Sequence, residues 1–284
     1  MNQILNIIYS AIAFVLTVAI AFATGNTIVI NAVLIAFSIQ WLAFIPAYVF
    51  QTEKFYDLTG SLTYISVVIY TLISSLKLHT EINLFSMLLA SFIIIWAVRL
   101  GSFLFLRIHK DGEDKRFRTI KPSPTQFFMT WTLQGMWVSI CSLCAITAIS
   151  SPNGVEINMI TIVGILLWAY GFYIEVKADN EKSQFRNKPE NKNMFIKTGL
   201  WAKSRHPNYA GEIILWLGIA LASYSSLEGT QLITLISPIF TYLLLVYVSG
   251  VRMLEARGQK RWGDNKNYNE YIRSTPKIFF NPFK

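Results

Sequence analysis

The sequence is poor in charge and in the residue types that build most soluble active sites. Only 14% of its 284 residues are charged, whereas a soluble domain carries about a quarter. Its three histidines do not have the spacing of zinc ligands on a helix. It contains no G-x-G-x-x-G after a strand and no G-x-x-x-x-G-K-[ST]. These absences exclude a Rossmann or P-loop domain and predict that there is no metal site.

Cysteine is equally scarce, since the chain has only two. Cys141 and Cys144 form a C-x-x-C pair, but it lies within the apolar run 138–149. A redox-active thiol needs an accessible, electropositive setting that lowers its pKa. Both cysteines are therefore predicted to be small core residues.

Hydrophobic residues are abundant, at 53% of the chain. They occur in blocks close to the roughly 20 residues that cross a bilayer. The pattern predicts an all-α, polytopic membrane helical bundle of seven or eight transmembrane helices, forming a single membrane domain over 1–284. The first block is predicted to be a span and not a cleaved signal peptide, because no basic segment precedes it. The predicted spans are about 4–24, 28–50, 62–78, 84–106, 126–150, 157–176, 208–227 and 231–251.

The basic residues are grouped, which predicts the orientation of the spans. Of 25 Lys and Arg, 22 lie within 107–121, 177–205 and 252–284. Two predicted spans separate each segment from the next, so all three face one side, and the positive-inside rule makes that side cytoplasmic. The loop 51–61 then faces the cytosol too. This topology and the attraction of anionic membrane lipids explain the net charge of +9. Nucleic acid is not an expected partner, because the sequence has no soluble basic module.

Four clusters of polar residues fall on this side of the membrane. A charge placed in hydrocarbon costs several kcal/mol unless it is paired or hydrated, so polar clusters at helix mouths indicate sites. For three of them a plainer interpretation stays open: an ordinary loop, an ion-paired helical extension, and an amphipathic tail on anionic headgroups. The clusters lie at 51–57, 175–186, 198–212 and 250–271.

The densest cluster belongs to the stretch TGLWAKSRHPNYAGEIILWLG, 198–218. Five polar residues stand within eight positions, where a hydrophobic run is just beginning. A snorkelling anchor would explain one of them alone, whereas five favour a site. They are Arg205, His206, Asn208, Tyr209 and Glu212.

These residues also carry a family resemblance. TGLW…SRHPNYAGE, the preceding FRNKP, the terminal E…RWG…Y…Y…TP and the upstream QTEKFYDLTGSLTY resemble the steroid 5-alpha-reductase family, in particular its bacterial DUF1295 branch. In its C-terminal half that family is related to isoprenylcysteine carboxyl methyltransferases and sterol reductases. The resemblance implies a protein of the bacterial inner membrane that holds NADPH in a cytoplasm-facing cavity. It also implies hydride transfer to a carbon–carbon double bond conjugated to a carbonyl, in a steroid-like or other lipidic substrate.

Carried over position by position, the resemblance divides the chain by role. It implies substrate-side helices in 1–125 and a cofactor-binding half in 126–284. The residues it places beside the cofactor are Asp179, Arg186, Trp201, Arg205, His206, Asn208, Tyr209, Glu212, Arg252 and Glu255.

The resemblance also points to the residue that faces the substrate carbonyl. Glu53 matches the family acid, although Thr52 separates it from the glutamine that animal enzymes have next to it. The catalytic tyrosine of those enzymes aligns with Trp96, which leaves Tyr56 or Tyr64 as the substitute. A protonated Glu53 or a tyrosine such as Tyr56 would donate a hydrogen bond to the carbonyl oxygen and stabilise the developing enolate. Glu53 and Tyr56 are the predicted catalytic pair.

Two other functions remain open from the sequence. An isoprenylcysteine-type methyltransferase would use S-adenosylmethionine on a lipidic substrate, and the segment 51–57 and FRNKP favour the reductase over it. A transporter would commonly show internal repeats, and none is found. The expected partners are a lipidic substrate and membrane lipids. The oligomeric state is left open, with a monomer slightly favoured.

Overall fold

The computed structural model describes residues 3–280, and this part of the chain is helical without strands. The all-α prediction is confirmed. A π-helical turn, Leu244–Val248, connects the eighth and ninth helices. The helices are α1 Gln3–Ala23, α2 Thr27–Val49, α3 Tyr56–His79, α4 Leu84–Asp111, α5 Pro124–Ile149, α6 Met159–Asn187, α7 Pro207–Tyr224, α8 Ile236–Leu243, α9 Val251–Trp262 and α10 Lys266–Ser274.

Seven of the described helical runs are long and apolar enough to cross a membrane, which agrees with the predicted seven or eight. They are α1 to α6 and the continuous run Gly229–Trp262. The predicted span 208–227 corresponds to α7, which has 18 residues and is not among the seven. Its first turn carries polar residues, and these lower its mean hydropathy. The chain is an integral membrane protein by these criteria.

The helix starts follow from side-chain capping. Asn26 accepts a hydrogen bond from the Ile28 N–H at 2.9 Å, and Asn83 accepts one from the Ser86 N–H at 2.8 Å. A short polar side chain at this position satisfies a backbone donor that the first helical turn leaves unpaired. The caps explain why α2 and α4 begin where their hydrophobic blocks do.

Two compact units divide the described residues. One contains the residues up to 162 together with 220–237, and the other contains 163–219 together with the residues from 238 onward. The assignment of 1–125 to the substrate side and of 126–284 to cofactor binding concerns function, and it stays a prediction.

In the first unit α5 is the central helix. It packs against α1, α2, α3 and α4, and 83% of its most apolar stretch is buried, against 28–39% in the other six spans. Cys141 and Cys144 lie on it, fully buried and unbridged. Their predicted place in the core is confirmed.

In the second unit, glycines bring α6 and α7 into backbone contact. A Cβ added to Gly171 would lie 2.6 Å from the carbonyl oxygen of Gly211, and one added to Gly218 would lie 2.6 Å from that of Gly164. The seven-residue spacing on each helix repeats the contact two turns along. Small residues allow such close approach between membrane helices. The contact also fixes the polar first turn of α7 beside α6.

Candidate functional site

The predicted acid of the substrate side joins two loops of the first unit. Glu53 is 5% exposed. Its Oε1 accepts a hydrogen bond from the Asp114 N–H at 2.9 Å, and its Oε2 forms an ion pair with Lys121. The α2–α3 loop is thereby tied to the segment between α4 and α5. Both carboxylate oxygens accept a hydrogen bond, so one of these two donors would have to leave before Glu53 could donate to a substrate.

Tyr56, the second predicted catalytic residue, is similarly engaged. Its hydroxyl donates to the carbonyl oxygen of Thr130 at 3.0 Å. Its ring packs between Phe117 and Trp131, with ring centroids 5.0 Å from each. The contacts fix the ring beside the start of α5.

Tyr64 lies farther along α3, in contact with Trp96, which the resemblance aligns with the family tyrosine. It is 2% exposed, and its ring meets Trp96 edge to face at a centroid distance of 5.1 Å. The structure therefore places Tyr64, one of the two candidate substitutes, against Trp96.

The second unit contains the closest group of predicted cofactor residues. Arg205 Nη1 lies 2.8 Å from Glu255 Oε1, and His206 Nε2 lies 3.1 Å from the same oxygen. Both basic side chains are largely buried, at 11% and 8% exposure. Asn208 follows in the first turn of α7. We call Arg205, His206, Asn208 and Glu255 the C-terminal cluster.

The protonation of His206 follows from its surroundings. Burial lowers the pKa of the imidazole, although the hydrogen bond to Glu255 opposes the shift. A neutral imidazole has one N–H, and the carboxylate contact places it on Nε2. Nδ1 is then an acceptor.

Three polar atoms of the C-terminal cluster are buried with no hydrogen-bond partner among the described residues. They are Arg205 Nε, His206 Nδ1 and Asn208 Oδ1. An unsatisfied buried polar group costs about 1–3 kcal/mol. A donor and two potential acceptors concentrated within four residues are the arrangement expected where a polar ligand binds.

The chain end holds this cluster in place. The Arg205 N–H donates to the carbonyl oxygen of Pro276 at 2.9 Å, and Ser204 Oγ donates to that of Ile278 at 2.6 Å. Ser204 is fully buried. Sequence reasoning missed it, because a lone serine beside an arginine has no distinguishing pattern.

Trp201 acts as a structural joint within the second unit. Its indole N–H donates to Ala178 O at 3.1 Å, and its carbonyl oxygen accepts the Tyr271 hydroxyl at 2.7 Å. The Lys182 ammonium lies 4.4 Å from the centre of its ring. The predicted cofactor residue thus links α6 to α10.

Glu181 is a second residue that the sequence did not reveal. Its Oε2 accepts the Leu200 N–H at 2.9 Å, and Gly199 beside it has a φ of +60°. A Cβ at Gly199 would lie 2.5 Å from the carboxylate. The TGLW turn therefore needs glycine for both its conformation and its space.

The remaining predicted cofactor residues occupy different environments. Tyr209 stacks on His206 with ring centroids 6.0 Å apart and planes at 18°. Asp179 on α6 and Glu212 on α7 are buried, at 6% and 5% exposure. Arg186 is exposed in the last turn of α6.

A groove of about 450 Å³ adjoins the cluster. Glu255 lines it and also binds the two basic residues of the cluster. Arg252, one of the predicted cofactor residues, is exposed on its wall. Its other walls include Tyr242, Lys277 and Phe279.

Fold and site together define a polytopic α-helical membrane protein in which largely buried Arg205 and His206 bind the half-buried Glu255. Residues 43–275 match the family described as "Protein of unknown function (DUF1295)". The chain belongs to that family, which confirms the DUF1295 part of the prediction. Membership of the steroid 5-alpha-reductase family remains a resemblance carried by the motifs.

Two relatives with named activities are similar to parts of the chain. It is 32% identical over 157 residues to the Delta(14)-sterol reductase of Saccharomyces cerevisiae, covering 52% of this chain and 31% of the relative. It is also 32% identical over 117 residues to a probable O-methyltransferase of Ustilaginoidea virens, covering 36% of this chain and 41% of the relative. The chain therefore spans less than half the length of either. No solved structure matches it.

Proposed function

We propose that this protein is a membrane-embedded reductase that uses NADPH to reduce a carbon–carbon double bond conjugated to a carbonyl, in a steroid-like or other lipidic substrate. The observation that carries the proposal is the C-terminal cluster, with its three unpaired buried polar atoms, beside a groove lined by basic residues. Similarity to a sterol reductase over half of the chain supports it.

The residues present fit NADPH in charge and in hydrogen-bonding type. Arg205 has an unpaired buried donor, and Arg252 and Lys277 line the groove; arginine and lysine are the residues that bind phosphate. His206 Nδ1 and Asn208 Oδ1 are acceptors, which suit the N–H of a carboxamide or a ribose hydroxyl. When bound, NADPH supplies a hydride.

The chain itself would orient the cofactor and keep water away from it. Glu255 binds both Arg205 and His206, so the two side chains would meet a ligand in a fixed arrangement. Hydrogen-bond donors that are already fixed in place need not reorient when charge develops during the reaction, whereas water molecules would have to. The proposed cofactor set also includes Asp179, Arg186, Trp201, Tyr209 and Glu212.

A methyltransferase is the second candidate, favoured by the similarity to a probable O-methyltransferase. S-adenosylmethionine carries a sulfonium cation and no phosphate. Its one anionic group is a carboxylate, so Arg252 and Lys277 on the groove wall would face a single carboxylate where NADPH offers three phosphate groups. The charge of the groove therefore supports NADPH.

The reaction can be tested without knowing the substrate in advance. The full-length protein in lipid nanodiscs is incubated with a total lipid extract and with NADPH carrying deuterium at the transferred hydride. We expect mass spectrometry to find lipids that have gained one deuterium. In a parallel sample, S-adenosylmethionine with a deuterated methyl group should leave the lipids unlabelled. Methyl label in the lipids with no hydride label would assign the protein to the methyltransferases.

A further inference from the structure

The groove of the second unit combines basic and aromatic side chains, and the proposed function accounts only for the basic ones. Its volume of about 450 Å³ lies within the range of roughly 300–1,000 Å³ seen for small-molecule sites. Two exposed cations, Arg252 and Lys277, stand on its walls. The one acid on its walls, Glu255, is already bound to Arg205. The groove therefore has an excess of positive charge.

Two aromatic rings on the same walls lie parallel. The ring planes of Tyr242 and Phe279 differ by 5°, and their centroids are 6.4 Å apart. Phe279 is 51% exposed and Tyr247 is 56% exposed. The ring of Tyr247 meets that of Tyr242 edge to face. Because the two rings stack on each other, the exposed part of Phe279 is the aromatic surface on which a planar heterocycle stacks.

The backbone between these residues is unusual. The π-helical turn Leu244–Val248 separates Tyr242 from Arg252. A π-helical turn widens a helix locally, and such turns are frequent at functional sites. It changes the register of the helix between the aromatic residue and the basic one, and both line the groove.

We propose that this groove is the subsite for the adenosine end of the cofactor, with the base stacked on the exposed part of Phe279 and a phosphate bound by Arg252 and Lys277. The inference rests on the proposed function, because it names the part of NADPH that the groove would hold. A planar base and an anionic group on one small ligand match the paired aromatic and cationic walls. Glu255, shared with the C-terminal cluster, would connect this subsite to the rest of the cofactor site.

The test uses adenosine 2′,5′-bisphosphate as the probe, since it carries the base and the phosphates but cannot react. Its affinity for the purified full-length protein in nanodiscs is measured by titration calorimetry and compared with that of adenosine 5′-monophosphate. We expect the bisphosphate to bind about tenfold more tightly, because the second phosphate adds charge-assisted hydrogen bonds. Lys277→Ala should remove most of this preference, whereas Lys260→Ala, at an exposed position on α9, should leave it.

The stacking surface is tested with Phe279→Leu, which removes an exposed ring and should not disturb folding. We expect this variant to bind the bisphosphate about tenfold more weakly, which is the scale of one lost base–aromatic contact. Tyr173→Leu, at an exposed position on α6, is the matched control and should bind as the wild type does. Equal affinities in Phe279→Leu, Lys277→Ala and their controls, with NADPH still bound by the wild type, would overturn the subsite and leave the proposed function standing.

A groove with basic and aromatic walls also suits an anionic lipid headgroup. Binding of phosphatidylglycerol in detergent is therefore measured on the same variants. If Lys277→Ala and Phe279→Leu weaken the binding of the lipid and leave the affinity for the bisphosphate unchanged, the groove is a lipid site and the proposal is wrong. Failure of the wild type to bind NADPH in any form would instead overturn the proposed function.

Discussion

Burial of a single histidine makes the stability of the protein depend on pH. Burial lowers the pKa of His206 below its ordinary value of 6.5, against the opposing effect of Glu255 and with added repulsion from Lys182 and Arg205. The unfolded chain therefore binds a proton at a higher pH than the folded chain does. The contribution of His206 to the free energy of unfolding is therefore fully present above about pH 6.5. It is lost as the pH falls from there through the pKa of the folded state.

The expected result is a melting temperature that decreases between pH 7 and pH 5, with a weaker decrease in His206→Asn. His109 is exposed on α4, so His109→Asn should keep the slope of the wild type. The measurement is a thermal melt of the protein in nanodiscs over this pH range. A slope that is the same in both variants would show that His206 is not the titrating group.

Glu53 gives a second prediction at this scale, about catalysis. If it acts on the carbonyl oxygen, Glu53→Ala should lower kcat by about 10²–10³-fold, the effect of losing an oxyanion donor, with NADPH affinity unchanged. Glu53→Gln keeps a hydrogen-bond donor and should retain more activity. The assay is turnover of the lipid identified by deuterium transfer.

A purely structural role for Glu53 must be separated from a catalytic one. Glu53→Ala leaves Lys121, whose side chain is 18% exposed, without its acidic partner. Trypsin should then cut the basic segment Lys115–Arg118 faster. Adding Lys121→Met removes the unpaired charge and should restore resistance. Turnover that recovers together with resistance would contradict a catalytic role.

At the scale of helices, the contact between α6 and α7 should be intolerant of bulk. Gly171→Leu places a side chain where a Cβ would lie 2.5 Å from the backbone nitrogen of Leu215. Overpacking of this kind typically costs about 1–3 kcal/mol, and more where backbone must move. We expect a lower melting temperature and aggregation in size-exclusion chromatography.

Ala169→Leu provides the matched control, because Ala169 is exposed on the same helix. It should behave as the wild type does. Equal melting temperatures for Gly171→Leu and Ala169→Leu would show that the helices can separate at this point without penalty.

The helices were also the part that could be predicted from the sequence. Hydrophobic blocks of bilayer length gave α1 to α6, because burial in lipid imposes both length and composition. The predicted sixth span ends at 176, whereas α6 continues to Asn187, in line with the open interpretation of 175–186 as an ion-paired helical extension. Its backbone hydrogen bonds continue into a polar extension, and hydropathy does not detect them.

Contacts between distant loops could not be predicted at all. Glu53 and Lys121 are 68 residues apart, and no periodicity connects them. The same holds for the Glu181–Leu200 contact, which depends on how the TGLW turn folds back. By contrast, Arg205, His206 and Glu255 were each singled out by motif, and the structure places them in one cluster.

For the whole molecule, the distribution of charge predicts membrane sidedness. Lys54 and Lys188 lie in segments assigned to the cytosol, and Asn153 lies in the loop that follows α5; all three are exposed. Single cysteines are introduced at these positions after Cys141 and Cys144 are replaced by alanine. In intact cells, an impermeant thiol reagent should label Asn153→Cys and leave Lys54→Cys and Lys188→Cys unlabelled. Labelling of either lysine position from outside would contradict the predicted orientation.

The central claim is that the C-terminal cluster binds NADPH, and equilibrium binding tests it most directly. Titration calorimetry on the purified full-length protein compares NADPH with S-adenosylmethionine for the wild type, Arg205→Ala and Lys203→Ala, an exposed neighbour. We expect the wild type to prefer NADPH. Arg205→Ala should weaken it by about tenfold or more, since a hydrogen bond to a charged group contributes about 1.5–3 kcal/mol, and Lys203→Ala should change little. Tighter binding of S-adenosylmethionine than of NADPH, or equal NADPH affinity in the two variants, would contradict the claim.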